Sequence, residues 1–345
     1  MTRITVLTGG STPERDVALA GAAQVVAALR ARGYEVAVVD TVDGTLSQEE
    51  EARRLVRSVG AEPPSRETLA ALAARELGPR LVDLPEIRDC ALVFPVLHGR
   101  QGEGGELQAM LDAAGIPYAG SGALGSALAM DKDVAKRLFR DAGVPTPAWL
   151  VWPADGDAVD GLGWPVVVKP SNVGSTVGLT VVRDPADLSA AVEHARTFDH
   201  EVLLEAYAGG REFTVGILGD EALAVGEIIP QHEIFDYECK YTPGMTRELF
   251  PAEIPDQLAA ELKRLALLGH QALKLRDFSR ADFRLDGRGT PQCLEINTLP
   301  GLTTTSLLPQ SAAAVGVSFE DLCDRICRLA LLRPRPRNKA YRSGD

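Results

Sequence analysis

Glu295-Ile296-Asn297-Thr298-Leu299-Pro300-Gly301 follows directly on the apolar run Gln292-Cys293-Leu294, which reads as the approach of a strand. Side chains alternate along a strand, so Glu295 and Asn297 are expected on one face. Asp282 lies upstream in Ser279-Arg280-Ala281-Asp282-Phe283-Arg284-Leu285, a second strand-like run. Asp286-Gly287-Arg288-Gly289 between the two runs is a turn signal. The pattern predicts a hairpin with three hard oxygen ligands on one face. Mg²⁺ prefers such a set when it also holds substrate phosphates. Taken alone, the same residues also fit the solvated face of an ordinary hairpin, so the rest of the chain has to decide.

The bulk properties narrow the class. The chain has 345 residues, enough for two or three domains, with 45% hydrophobic and 24% charged content. A formal net charge of −12 argues against a nucleic-acid partner, because binding a phosphate backbone wants a basic surface. No apolar run approaches the roughly 20 residues that a membrane span needs. Met1-Thr2-Arg3-Ile4-Thr5-Val6-Leu7 enters a strand without a leader-like apolar region. The 5 cysteines have no metal-type CxxC spacing, and Cys323 and Cys327 read as buried thiols one helical turn apart. A cytoplasmic protein is expected.

Working outward, Ile4–Thr8 reads as a strand ending at Gly9-Gly10. A helix from Ser11 or Thr12 to Arg32 and a second strand at Glu35–Val39 follow it. This β–turn–α–β unit opens a Rossmann-like layer. Residues 42–86 read as an insertion with one or two helices, and Leu92–Leu97 as a third strand. Downstream, helices are expected at 127–142, 186–196, 256–274 and 318–331, and strands at 165–169, 179–182, 202–205, 213–218 and 223–229. Residues 231–250 read as irregular, and the tail from Arg333 as basic and loose. Gly120-Ser121-Gly122-Ala123-Leu124-Gly125 matches GxGxxG, but no strand and acidic residue follow as a dinucleotide site requires. The Gly9-Gly10 turn is either pure architecture or a source of amides for an anion.

Pro165-Val166-Val167-Val168-Lys169 delivers a lysine to a strand end just before Gly174-Ser175-Thr176-Val177-Gly178. Small residues there let backbone amides converge on phosphate oxygens. The lysine precedes the glycines, so this is not a Walker A loop. Lys240 lies in the aromatic, irregular Phe235-Asp236-Tyr237-Glu238-Cys239-Lys240-Tyr241, which resembles a lid.

The order of these blocks resembles the D-alanine–D-alanine ligase family of the ATP-grasp superfamily over nearly the whole chain. The resemblance is carried by Gly9-Gly10 with Glu14-Arg15-Asp16-Val17, Leu97-His98-Gly99-Arg100 with Gly102-Glu103, and Tyr118-Ala119-Gly120-Ser121-Gly122. It continues through Met130-Asp131-Lys132, Lys169-Pro170-Ser171, the 174–178 loop, Asp236–Tyr241, Arg280-Ala281-Asp282 and Glu295–Gly301. It implies an α/β chain: a Rossmann-like N-terminal domain at 1–120, then a two-lobed ATP-grasp fold at 121–204 and 205–333. A flexible tail at 334–345 would follow.

The resemblance also implies roles, residue by residue. Adenine would lie near Lys132, Lys169, Glu205, Tyr207 and Ala208, with Glu212 on the ribose. Lys169, Lys240, Ser175 and Thr176 would steady the transferred phosphoryl group. Asp282, Glu295 and Asn297 would hold two Mg²⁺ or Mn²⁺ ions. Glu14 would anchor the first D-alanine's ammonium, with Val17 and His98 beside that substrate. Arg280 and the Gly301 amide would form an oxyanion hole, and Ser306 and Leu307 would receive the second carboxylate. Glu14, Ser175 and Tyr241 would form a triad that latches the lid. A homodimer is implied as well.

Three features depart from the family pattern: the long 42–86 insertion, Ala18 in place of a serine, and Thr304-Thr305 before Ser306. A ligase making another dipeptide or D-alanyl-D-lactate is the nearest alternative, and Tyr241 speaks against the depsipeptide. A non-catalytic ATP-binding protein is a further alternative, disfavoured by Arg280, which a pure binder does not need.

Overall fold

The structure is a computed structural model that describes residues 1–334 except 57, 58, 60–63, 175, 236–238, 241 and 243. The expected opening strands form as β1 (Arg3–Thr8) and β2 (Glu35–Asp40), joined by the helix Arg15–Ala31. β3 (Gly44–Thr45) and β4 (Leu92–Pro95) complete a sheet of order β3-β2-β1-β4, in which β1 pairs parallel to both β2 and β4. β1 from Ile4 to Thr8 and β4 throughout are buried without alternation, because helices cover both faces of a parallel sheet. The Gly10 amide donates to Thr41 Oγ1 at 3.0 Å and the Ser11 amide to Gln101 Oε1 at 3.1 Å. The Gly9-Gly10 turn is therefore architecture, with these amides already committed.

The 42–86 segment is more structured than an appended insertion. It holds the helices Gln48–Arg54 and Arg66–Ala73 and a 3₁₀ turn at Gly78–Asp83, and it buries Leu46 and Leu81. Ser47 caps the first of these helices with a complete capping box. Asp43 pairs within the segment with Arg54 and Arg75 and reaches out to Arg15 at 4.0 Å, while Arg15 bridges to Asp40 at 2.6 Å.

A second sheet contains β5 (Trp149–Val151), β6 (Val166–Pro170), β7 (Thr180–Val182) and β8 (Val202–Ala206), in the order β5-β8-β6-β7. A third contains β9 (Glu212–Leu218), β10 (Glu221–Pro230), β11 (Thr246–Leu249), β12 (Phe278–Leu285) and β13 (Pro291–Asn297). Its order is β11-β10-β9-β12-β13, antiparallel throughout. The helix expected at 127–142 is two helices, Ala123–Met130 and Lys132–Asp141. They break at Asp131, whose extended backbone lets its carboxylate cap Val134 N at 2.9 Å. β11 occupies part of the stretch expected to be irregular, and the helix Leu307–Ala313 was not foreseen.

Packing joins distant parts of the sequence. The helices Leu307–Ala313 and Phe319–Leu332 bury Leu308, Cys323, Ile326 and Cys327 in one cluster with Ile4, Val6 and Phe94 of the first sheet and Leu29 of the helix Arg15–Ala31. Arg333, expected in a loose tail, donates to Tyr118 O and lies 3.4 Å from Asp277. Gly120, first of the GxGxxG glycines, donates its amide to Asp277 at 2.7 Å, so this motif serves the same junction.

Candidate active site

The β12–β13 hairpin forms as the sequence predicts, and its register sets Asp282 opposite Glu295 and Arg280 opposite Asn297. A register shift follows Asp282, leaving Leu294 as an extra residue on β13. Leu294 and Glu295 consequently line the same cavity although they are neighbours in sequence. Strict alternation could not anticipate Leu294 there.

Two cavities flank this hairpin. One, of about 130 Å³, is walled by β6, the 173–179 loop, β8 and β12–β13. Lys132, Lys169, Thr176, Glu205, Tyr207, Ala208, Glu212, Lys240, Asp282 and Glu295 all line it, as does Arg280. The other, of about 390 Å³, is lined by Glu14, Val17, His98, Asn297, Gly301, Ser306 and Leu307, with Lys240 and Arg280 again. Gly174, Phe235, Lys240 and Arg280 belong to both walls, so the cavities adjoin at Arg280. Ser175 and Tyr241 lie outside the described residues; every other residue to which the resemblance gives a site role lines one cavity or both.

Charge is concentrated at the shared wall. Arg280 grips Asp282 through both carboxylate oxygens, Nε to Oδ1 at 2.9 Å and Nη2 to Oδ2 at 2.7 Å. Asp282 Oδ1 also accepts from Thr214 Oγ1 at 2.7 Å, and Asn297 Nδ2 donates to Oδ2 at 2.9 Å. Lys132 Nζ lies 3.4 Å from Glu295 and donates to Val173 O at 2.8 Å. Burial pushes the Glu295 carboxyl up, but Lys132, Lys240, Lys169 and Arg280 outweigh it and hold it at about 2. Burial likewise lifts Glu212 to about 7, opposed by Arg284. His98 is driven toward its neutral form by desolvation, and its Nε2 is buried without a partner among the described residues.

Among the described residues no three His, Cys, Asp or Glu side chains cluster closely enough to hold a metal alone. Asp282, Glu295 and Asn297 offer two carboxylates and one carboxamide. Such a donor set fits a hard cation that takes its remaining ligands from phosphate and water. Lys132 and Arg280 occupy these carboxylates as cationic partners, which is the charge a metal would supply. Half a turn of the Asn297 carboxamide would present its oxygen.

Residues 3–121 match the family profile described as "D-ala D-ala ligase N-terminus", and residues 138–328 that described as "D-ala D-ala ligase C-terminus". The chain belongs to the D-alanine–D-alanine ligase family. The D-alanine–D-alanine ligase of Syntrophobacter fumaroxidans is 42% identical over 338 residues, 95% of this chain and 97% of that protein. That of Synechococcus sp. (strain JA-2-3B'a(2-13)) is 39% identical over 334 residues, 95% and 93%. A crystal structure of the Bacillus anthracis D-alanine–D-alanine ligase superposes with a TM-score of 0.75 at 31% identity, covering 96% of this chain and 98% of that one. A second, of the same ligase complexed with ATP, gives 0.75 at 29%. The expected fold class, a Rossmann-like unit followed by a two-lobed ATP-grasp unit, holds.

Two residues that line the larger cavity were given no role from the sequence, although Glu103 stands in a motif that carries the resemblance. Glu103 lines the larger cavity and accepts from Gly99 N at 3.0 Å and Leu299 N at 3.1 Å. It thereby ties the His98 loop to the Leu299–Gly301 loop. Burial raises its carboxyl to about 7, with the nearby Glu14 adding to the rise. Glu248 lines the same cavity beside Ser306 and is held by Gln310, which also donates to Thr305 O at 2.7 Å. A Cβ at Gly301 would meet Ser306 Oγ at 2.8 Å, so a side chain there would displace the Ser306 hydroxyl.

Proposed function

We propose that the chain condenses two molecules of D-alanine into D-alanyl-D-alanine, consuming ATP and releasing ADP and phosphate, to supply a peptidoglycan precursor. The observation that carries this reading is the meeting of the two cavities at Arg280. A phosphoryl donor in one can be attacked by a carboxylate held in the other.

In this reading the smaller cavity takes ATP. Adenine sits by Lys132, Lys169, Glu205, Tyr207, Ala208 and Leu294, the ribose by Glu212, and the phosphates by Lys169, Lys240, Ser175 and Thr176. Glu14, Val17 and His98 hold the first D-alanine, whose carboxylate attacks the γ-phosphorus to give an acyl phosphate and ADP. The amine of the second D-alanine, its carboxylate at Ser306 and Leu307, then attacks the acyl carbon. Arg280 and the Gly301 amide stabilise the tetrahedral oxyanion, which collapses with loss of phosphate. No protein nucleophile is required. Asp282, Glu295 and Asn297 would hold Mg²⁺ or Mn²⁺, which screens phosphate charge when bound. Ser175 and Tyr241 keep their proposed latch role with Glu14.

Division at 1–120, 121–204 and 205–333 remains part of the proposal, supported by three separate sheets. So does the homodimer, which sedimentation would check. Among the described residues no helix is long and apolar enough to cross a membrane.

Phosphate release from ATP and Mg²⁺ with D-alanine, L-alanine, or D-lactate plus D-alanine tests the reading. Release with D-alanine alone, with the dipeptide identified by mass, supports it. ATP binding without release in any well would overturn the ligase assignment, and depsipeptide formation would move the acceptor class.

A further inference from the structure

Lys136 lies on the helix Lys132–Asp141 with its side chain 1% exposed, and it stands behind the smaller cavity rather than in its wall. Its Nζ is 2.7 Å from Glu205 Oε2 and donates to Thr146 Oγ1 at 2.7 Å. The other Glu205 oxygen accepts from Lys169 Nζ at 3.0 Å. A buried carboxylate thus sits between two lysines from different elements, one facing the nucleotide cavity and one hidden. The two lysines cannot be equivalent. Lys169 ends β6 just before the glycine-rich loop, where the phosphates are placed above. A lysine that turns to phosphate leaves Glu205, and a carboxylate this buried is costly to keep ionised without a partner.

We propose that Lys136 is the permanent counter-ion of Glu205, releasing Lys169 to the nucleotide's phosphates and keeping Glu205 an acceptor for the exocyclic amine of the base. The proposal rests on the nucleotide placement given above and deepens it. The ligand class so selected is a purine nucleoside triphosphate with an amino group at position 6. Hypoxanthine presents a carbonyl oxygen there, which meets a carboxylate lone pair without a proton between them. A protonated Glu205 would donate to that oxygen and erase the distinction. Burial pushes the Glu205 carboxyl up, but Lys136 and Lys169 outweigh it and keep it below the usual range. Burial lowers the Lys136 ammonium to about 8, opposed by Glu205 and reinforced by Lys169, so Lys136 is charged at neutral pH, where the test is made. The remaining titratable group beside it is Cys293, whose buried thiol is pushed well up.

Titration calorimetry with ATP and with ITP, in Mg²⁺ buffer without D-alanine, reads this independently of ligase turnover. The wild-type chain should prefer ATP by about 100-fold, as expected where a mispaired base leaves a buried polar group unsatisfied. Lys136→Met should narrow the preference to about threefold, and Lys136→Arg should retain most of it. In turnover, Lys136→Met should raise KM for ATP while kcat at saturation changes by less than about threefold, because the base lies away from the reacting phosphorus. If Lys136→Met fails to fold, the pair Glu205→Gln and Lys136→Met/Glu205→Gln decides, since the double variant removes both buried charges. Equal ATP affinity in those two supports action through Glu205; a further tenfold loss in the double variant, roughly, overturns it. An unchanged ATP-to-ITP ratio in Lys136→Met also overturns it. Wild-type protein that binds neither nucleotide would instead overturn the nucleotide placement itself.

Discussion

Glu103 shows how one carboxylate can join two loops that wall the larger cavity. Its oxygens accept the Gly99 and Leu299 amides, which belong to loops far apart in sequence. Glu103→Gln exchanges one acceptor oxygen for an NH₂ that cannot accept. A lost hydrogen bond to a charged group costs about 1.5–3 kcal/mol. Steady-state kinetics should therefore show kcat/KM for D-alanine reduced by about tenfold or more, with ATP affinity unchanged; unaltered kinetics would remove Glu103 from the site. Asp282 is a different case, because it carries the Arg280 fork as well as a proposed metal. Asp282→Asn and Glu295→Gln should each lower kcat by about two orders of magnitude or more, and excess chelator should abolish wild-type turnover. Near-normal rates would sink the metal assignment. Asp282, Glu295 and Asn297 were legible in the sequence because strand alternation and a turn signal suffice to gather them. The bond of Glu103 to Leu299 and that of Lys136 to Glu205 were not, since those partners are brought close only by the tertiary fold.

At the scale of elements, local signals were reliable where periodicity was long and failed where a single side chain decides. The helix expected at 256–274 forms as Asp256–Ala272 because its apolar stripe covers the third sheet. The break at Asp131 hinges on one capping carboxylate, and the helix Leu307–Ala313 hides behind a run of threonines and contains Pro309. Polar composition also made the 42–86 segment look like an appendage, although Leu46 and Leu81 pack into the two cores that flank the first sheet. The helix Asp256–Ala272 carries a pH-dependent contact. His270 is buried, with Nδ1 2.7 Å from Ser279 Oγ, and desolvation lowers it to about 4. Its unfolded value is near 6.5, so between these limits the unfolded chain binds more protons. Stability is accordingly full above the unfolded value and lost as pH falls toward the folded one. Going from pH 7 to pH 5 should cost about 2 kcal/mol through this residue alone. His270→Gln should flatten that part of the denaturation profile, and an equal acid loss in the variant would show that another group is responsible.

On the scale of the whole molecule, the chain closes on itself in two places with different consequences. Its last helix completes the core of the first sheet, so the N-terminal unit is not finished until the C-terminus has been made. The other closure lies over the cavities. Thr176, in the glycine-rich loop beside β6, donates from Oγ1 to Phe235 O at 3.0 Å, while Arg183 and Glu233 pair at 2.5 Å. Both contacts join the second sheet's unit to the segment that follows β10, and Phe235 lines both cavities. They differ in worth. The Arg183–Glu233 pair is solvated, 57% and 43% exposed, and pairs of that kind contribute at most about 1 kcal/mol. The Thr176 bond is half-buried and holds Phe235, which lines both cavities, where the proposed acyl phosphate has to be kept from water. Thr176 also has φ +64, and valine has the same branching at Cβ, so Thr176→Val removes the hydroxyl without adding much backbone strain. The measurement is phosphate released per dipeptide formed. A sealed site keeps that ratio near 1, whereas Thr176→Val should raise it to about 2 or more as water intercepts the intermediate. Arg183→Gln should leave the ratio within about 20% of wild type. A Thr176→Val enzyme that stays tightly coupled would show that the loop–Phe235 contact is not what keeps the water out.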